Sequence, residues 1–150
     1  MIRPLLARYL IYPLHERLMK RPTFGYLSEL ENSQWLTRAE LEKLQEKKLT
    51  DLLQSACTHA PWHRERILAA GIDPDGQVTL EDLRTLSVMD KQDASTHGDL
   101  MVWRAVPGGI FKYNTGGSSG QPLIFHYGRR RQASDAAGRI RARRWWGVEP

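Results

Sequence analysis

The sequence predicts an α/β fold in which a mainly helical N-terminal region, residues 1–99, leads into the first strands of an incomplete α/β core, residues 100–150. Apolar residues recur at helical spacing, with helix caps, through the first three-fifths of the chain. Segments of β-type composition begin only near Leu100, and a run rich in glycine and serine separates two of them. Because two or three strands make a poor sheet alone, we expect the core to be truncated.

Composition and charge are those of an ordinary folded domain. The chain has 150 residues, of which 41% are hydrophobic and 26% charged, and no stretch is apolar enough to span a bilayer. Its formal charge of +5 favours anionic partners such as nucleotides, nucleic acid or anionic lipid. Cys57 is the single cysteine, which excludes an internal disulfide and favours a reducing, cytoplasmic location.

The N-terminal segment predicts an amphipathic helix. Pro4 suits a first helical turn, and Pro13 should end or kink the helix. Between them, apolar side chains recur at helical spacing: Leu5, Leu6, Tyr9 and Leu10. Such a stripe either anchors a protein at a membrane surface or packs on the rest of the protein. We expect packing, because stripes of this kind are normal in globular helices.

A loop rich in turn formers is expected over residues 23–32, followed by a long helix. Thr37 and Glu40 form a T-x-x-E capping box, and the helix should run to His59. Its apolar stripe consists of Leu41, Leu44, Leu49, Leu52, Leu53 and Ala56. Pro61 should open a second helix, residues 62–70, which Gly71 caps.

Shorter elements follow along the chain. Residues 73–76, DPDG, predict a turn, and two short helices should start at Thr79 with Asp82 and at Asp90 with Asp93. Strand composition marks residues 100–106, 109–115 and 122–127. After Gly128 a helix should run to Trp146 and stop at Gly147.

Two side-chain groups raise alternative functions. Cys57, His59, His63 and Glu65 raise the question of a metal site, but Pro61 interrupts the histidine pair, so we expect no metal and a small buried cysteine. The last helix is rich in basic and aromatic residues, which suits nucleic acid. We expect instead a solvated face and no nucleic-acid partner, because these residues mostly lie off the helix's small apolar stripe: Arg129, Arg130, Arg131, Arg139, Arg141, Arg143, Arg144, Trp145 and Trp146.

The glycine-rich loop has the chemistry of a phosphate cradle. Glycine lets several backbone N–H groups turn toward one anion, and hydroxyls add donors. A Walker A loop and a Rossmann fingerprint are excluded, because no lysine follows the last glycine and G-x-G-x-x-G is absent. A flexible linker or plain hairpin turn is the alternative. The candidate phosphate-binding residues are Thr115, Gly116, Gly117, Ser118, Ser119, Gly120, Gln121 and Pro122.

This loop resembles the phosphate-binding signature of adenylate-forming enzymes, [ST]-[SG]-G-[ST]-[ST]-G-x-P, with Gln121 where many members have lysine. Within that superfamily, upstream segments resemble the phenylacetate–CoA ligase and CapK-like branch. The matching upstream residues are His59, Pro61, Trp62, Arg64, Leu83, Leu86, Lys91 and Asp93, while Ser87 and Asp90 replace the usual proline and threonine.

The resemblance implies an acid–thiol ligase and the start of an adenylate-forming large domain. Such enzymes join a carboxylate to ATP with Mg²⁺, release pyrophosphate, and pass the acyl group to a thiol, commonly coenzyme A. In the family the catalytic lysine and acidic metal ligand lie further along, so no catalytic residue is expected in residues 1–150, and the chain alone should be inactive. CapK-like relatives imply a link to surface polysaccharide assembly. A basic nucleic-acid-binding fragment and a non-catalytic interaction module are the alternatives.

Overall fold

The computed structural model describes residues 5–115 and 122–148, which are mostly helical with one two-stranded sheet. In chain order the helices are α1 Tyr12–Leu18, α2 Thr23–Ser33, α3 Arg38–His59, α4 Pro61–Ala69, α5 Lys91–His97 and α6 Arg129–Arg144, and the strands are β1 Ile110–Asn114 and β2 Ile124–Gly128. A π-helical turn, Ala7–Ile11, precedes α1, and 3-10 turns lie at Asp82–Thr85 and Gly98–Met101. The described residues form two compact units, one from 5–36, 106–111 and 127–148, the other from 37–105, 112–115 and 122–126.

Helix α2 occupies the place where a loop was expected in the first unit, so that expectation is wrong. Leu27 of α2 is 4% exposed and forms a buried cluster with Ala137 and Ile140 of α6. The small alanine side chain lets the two helices approach closely. Burial against α6 therefore outweighs the weak helix propensity of residues such as Gly25.

Pro13 lies inside α1 and does not end it. The N–H of Tyr12 donates to the carbonyl of Ala7, which is the wide hydrogen bond of the π-helical turn directly before the proline. Proline has no N–H to donate, and the wider turn before it accommodates the proline without ending the helix. Among the described residues, every helix is too short or too polar to cross a bilayer.

The N-terminal apolar stripe remains exposed, so the expectation that it packs on the protein is wrong. Leu5, Tyr9 and Leu10 are 56%, 65% and 57% exposed. The buried residue on α1 is instead Glu16, 3% exposed, whose carboxylate accepts a 2.5 Å hydrogen bond from the Thr23 hydroxyl. This polar contact and the packing of Tyr12 against the buried cluster, rather than the leucine stripe, hold this helix in place.

Helix α3 begins and ends as predicted in the second unit. The Thr37 hydroxyl accepts the N–H of Glu40, and the Glu40 carboxylate accepts the N–H of Thr37 at 2.8 Å. The Glu40 carboxylate also accepts the Thr37 hydroxyl at 2.7 Å, and this bond, followed by the one from the Thr37 N–H, lowers the pKa of Glu40. Pro61 opens α4, and Gly71 follows it with a φ of +75°, a conformation that glycine adopts without strain.

The core of the second unit joins α3, α4 and the segment after them. Its buried residues are Leu49, Leu53, Ile67, Ile72 and Val78. Thr50 ties this segment to α3, because its hydroxyl accepts the Val78 N–H at 3.1 Å and donates to the Glu46 carbonyl at 2.9 Å. The predicted stripe is narrower than expected, since Leu52 is 63% exposed.

The strand expected over residues 100–106 is wrong, because that segment forms the end of a 3-10 turn and further turns. The Arg104 guanidinium pairs with the Asp99 carboxylate at 2.5 Å. Residues five apart in a strand would lie on opposite faces and about 16 Å apart. The Trp103 ring stacks on the His59 ring with 3.7 Å between centroids, which gives the tryptophan a partner outside any sheet.

The other two predicted strands form an antiparallel hairpin, which confirms them. The ring centroids of Phe111 and Tyr127 lie 5.8 Å apart, and those of Tyr113 and Phe125 lie 5.2 Å apart. These cross-strand pairs fix the register. Side chains alternate along a strand, so Lys112 lies on the opposite face from these rings. The adenylate-forming core and the division at residue 99 remain predictions.

Candidate functional site

The predicted phosphate loop joins β1 to β2, and the structure describes its two flanks. Thr115 N–H donates to the Leu123 carbonyl at 3.0 Å, and Leu123 N–H donates to the Thr115 hydroxyl oxygen at 3.0 Å. These bonds hold the loop ends together, and in them the Thr115 hydroxyl acts as an acceptor. Thr115 and Pro122 are exposed. The remaining predicted residues lie outside the described ranges: Gly116, Gly117, Ser118, Ser119, Gly120 and Gln121.

A polar cleft of about 620 Å³ lies in the second unit beside the flank that follows the loop. Pro122 and Leu123 line it, together with Ile124 at the start of β2. Residues of α5 and the following 3-10 turn line it as well. Its volume is within the range of small-molecule sites, about 300–1,000 Å³.

Strand β1 contributes Lys112 to this cleft. Lys112 and Ile124 share the hairpin face that lies opposite the aromatic pairs, so both reach the same side. Lys112 is exposed, and its ammonium group is therefore hydrated and available to an anion.

Helix α5 contributes Lys91 and, one turn later, Ser95. The Asp90 carboxylate accepts the N–H of Asp93 at 2.8 Å, and the Asp93 carboxylate accepts the N–H of Asp90 at 3.1 Å. This capping box confirms the predicted helix start. It fixes where Lys91 emerges, and residues at i and i+4 share a helix face, so Lys91 and Ser95 line the cleft together.

Two of the upstream residues that resemble the ligase branch, His59 and Leu86, line a different cavity in the second unit, whereas Lys91 lines the polar cleft. His59, His63 and Arg66 line a mainly apolar cavity of about 330 Å³ with Trp103. Trp62 lies under the Arg66 guanidinium, 4.5 Å from its carbon to the ring centroid. Burial, and then the charge of Arg66, lower the pKa of His63, which favours its neutral form.

The structure brings no metal cluster together around Cys57. The described residues contain no group of three or more histidine, cysteine, aspartate or glutamate side chains placed to hold a metal ion. Cys57 is half-buried against the core of the second unit, and burial raises the pKa of its thiol. A raised pKa favours the thiol over the nucleophilic thiolate.

Helix α6 confirms the predicted helix after Gly128, and several of its arginines contact other elements of the first unit. Arg129 donates to the carbonyls of Gly108 and Met19 at 3.0 and 3.1 Å. Arg130 donates to the Tyr26 hydroxyl at 3.0 Å. Two other arginines, Arg139 and Arg144, pair with Asp135 and Glu31. These arginine guanidinium groups therefore already have partners within the protein, whereas nucleic-acid binding requires positive groups that face the phosphates.

Comparison with known proteins finds a ligase relative. The phenylacetate–coenzyme A ligase of Thermus thermophilus is 29% identical over 103 residues, which is 68% of this chain and 22% of the relative. The chain is similar to part of that ligase. No family model matches the chain, and no solved structure matches it.

The polar cleft was not predicted from the sequence, although part of its signal was present. The alternation in residues 122–127 indicates two strand faces, and the same alternation in β1 separates Lys112 from the aromatic residues. The sequence indicated the start of α5 and singled out Lys91 by resemblance, but the position of α5 beside the hairpin depends on tertiary contacts.

Proposed function

We propose that this chain holds the phosphate tail of ATP as part of an adenylate-forming acid–CoA ligase. The observation that carries the proposal is the sequence TGGSSGQP placed between the two strands of a hydrogen-bonded hairpin. A tight base at Thr115 and Leu123 suits a loop that must present backbone N–H groups to an anion. The partial similarity to a phenylacetate–coenzyme A ligase supports the same class.

In the proposed reaction a carboxylate oxygen attacks the α-phosphorus of ATP. The bond from that phosphorus to the bridging oxygen breaks, and pyrophosphate leaves with the electron pair. The coenzyme A sulfur then attacks the acyl carbon, and AMP departs. This chain would bind and orient the leaving phosphates, and the Thr115 hydroxyl would donate to one of their oxygens.

Mg²⁺ would be bound by the phosphates of ATP and would share their negative charge. The described residues contain no cluster of side chains suited to bind it. We also propose that the substrate is a carboxylic acid and that the protein acts in the cytoplasm.

The test is binding of ATP and pyrophosphate to the chain, measured by isothermal titration calorimetry. Gly117→Val is expected to weaken binding at least about tenfold, because a branched side chain at this position blocks close approach of a phosphate. Gly138→Ala is the matched control, since an added methyl group meets nothing within 4 Å there. Equal binding by wild type and Gly117→Val would contradict the proposal.

The same preparation tests the nucleic-acid alternative. Salt-sensitive binding of DNA or RNA that Gly117→Val leaves unchanged, in a chain that binds no ATP, would favour that alternative.

A further inference from the structure

The loop has Gln121 where many adenylate-forming enzymes have lysine, so the proposed phosphate grip lacks a cation at that position. Backbone N–H groups carry only partial charges, whereas a polyphosphate carries several full negative charges. If the proposed function holds, we expect lysine side chains beside the loop to supply the missing positive charge.

The polar cleft supplies two ammonium groups from separate elements. Lys112 enters it from β1, and Lys91 enters it from the first turn of α5. Pro122, the residue directly after the loop, is part of the same wall. The neutral donors Gln92, Ser95 and Thr96 line the remaining polar surface.

The carboxylates near this cleft are already engaged. Asp99 lines it, but its carboxylate pairs with the Arg104 guanidinium. Asp90 and Asp93 accept each other's backbone N–H groups in the capping box of α5. Among the described residues that line the cleft, Asp99 is paired with Arg104, so Lys91 and Lys112 give the lining a net positive charge, which favours an anionic ligand.

We propose that Lys112 and Lys91 bind the terminal phosphates of a polyphosphate and so replace the cation absent at Gln121. Two ammonium groups contributed by different elements suit an anion with two linked phosphates better than one with a single phosphate. The cleft thus selects pyrophosphate and the β,γ-phosphates of a nucleoside triphosphate over orthophosphate. This assignment rests on the proposed function.

The experiment measures binding of pyrophosphate and, separately, orthophosphate to the full 150-residue chain by isothermal titration calorimetry. Lys112→Gln and Lys91→Gln are each expected to weaken pyrophosphate binding about tenfold, as loss of a charge-assisted contact does. Lys112→Arg should retain most of the affinity. Lys47→Gln is the matched control, because Lys47 lies outside the cleft and pairs with Asp51 at 2.7 Å. Orthophosphate should bind roughly tenfold more weakly than pyrophosphate.

The outcomes separate this assignment from the proposed function. Unchanged binding by Lys112→Gln and Lys91→Gln, with loss in Gly117→Val, overturns the lysine assignment and leaves the phosphate-holding function standing. Weaker pyrophosphate binding by the lysine variants, with unchanged binding by Gly117→Val, supports the lysine site and overturns the proposal that the loop binds phosphate. An equal loss in Lys47→Gln overturns the lysine assignment, because bulk charge would then explain binding. Absence of pyrophosphate binding by folded wild-type chain at millimolar concentration overturns both.

Discussion

At the scale of single residues, the carboxylate of Glu16 makes the first unit sensitive to small changes. Its side chain is buried, and its oxygens lie 2.5 Å from the Thr23 hydroxyl, 3.4 Å from an Arg21 nitrogen and 3.2 Å from His15 Nδ1. A buried carboxylate costs several kcal/mol unless such partners satisfy it. Loss of one of these partners would therefore leave a buried charge without full compensation.

Thr23→Val is expected to lower the free energy of unfolding by about 1.5–3 kcal/mol, because it keeps the side-chain shape and removes the donor to a buried charge. Urea unfolding followed by circular dichroism measures this difference. Thr58→Val is the control, since the Thr58 hydroxyl is exposed and donates only to the Gln54 carbonyl of its own helix. A Thr23→Val chain as stable as wild type would contradict the role given to this hydroxyl.

At the scale of elements, the sequence predicted those helix ends and strands that depend on neighbouring residues. The Thr37–Glu40 capping box and Pro61 fixed the limits of α3, and the alternating aromatic residues marked the hairpin. Helix α2 was missed because its stability depends on the small residues of α6, which are distant in sequence. The strand over residues 100–106 was predicted from composition alone, which does not show whether a partner strand exists.

Ala137→Leu is expected to destabilise the chain by about 1–3 kcal/mol, because Ala137 is fully buried between α2 and α6 and a larger side chain forces the helices apart. Ala142→Leu is the matched control on the exposed side of α6 and should change stability by less than about 0.5 kcal/mol. Chemical unfolding of the two variants compares them directly. Equal stabilities would show that the interface between α2 and α6 is looser than described.

At the scale of the whole molecule, the two units draw on different parts of the chain. The buried cluster of the first unit joins Leu27 to Ala137 and Ile140, more than a hundred residues away in sequence. The buried residues of the second unit's core cluster lie between Leu49 and Val78, and Leu86 packs against them. The two cores therefore depend differently on the C-terminal part of the chain.

A chain that ends at Ala105 is expected to lose amide protection in α2, at least about tenfold by hydrogen exchange, because Leu27 loses its buried partners. Helix α3 should stay protected, since its core residues are retained. A chain that ends at Gly147 keeps α6 and is the control. Continued protection of α2 in the shorter chain would contradict the packing described for the first unit.

The candidate site was predictable only in part. The sequence itself singled out Thr115 and Pro122, because glycine, serine and proline patterns report local backbone chemistry. Lys91 drew attention only as a residue shared with the ligase branch, and its place in a cleft with Lys112 depends on how α5 packs. Side chains that meet through tertiary packing leave little trace in a single sequence.

The paired hydrogen bonds between Thr115 and Leu123 also bear on how freely the segment between them can vary. Once its two ends are joined, doubling the number of residues in a loop costs only about 0.6 kcal/mol in closure entropy. Loop-closure entropy therefore makes little demand on the number of residues between Thr115 and Leu123. The segment between Thr115 and Leu123 is therefore a suitable place for a library of inserted sequences, which can be screened for the ligands that they bind.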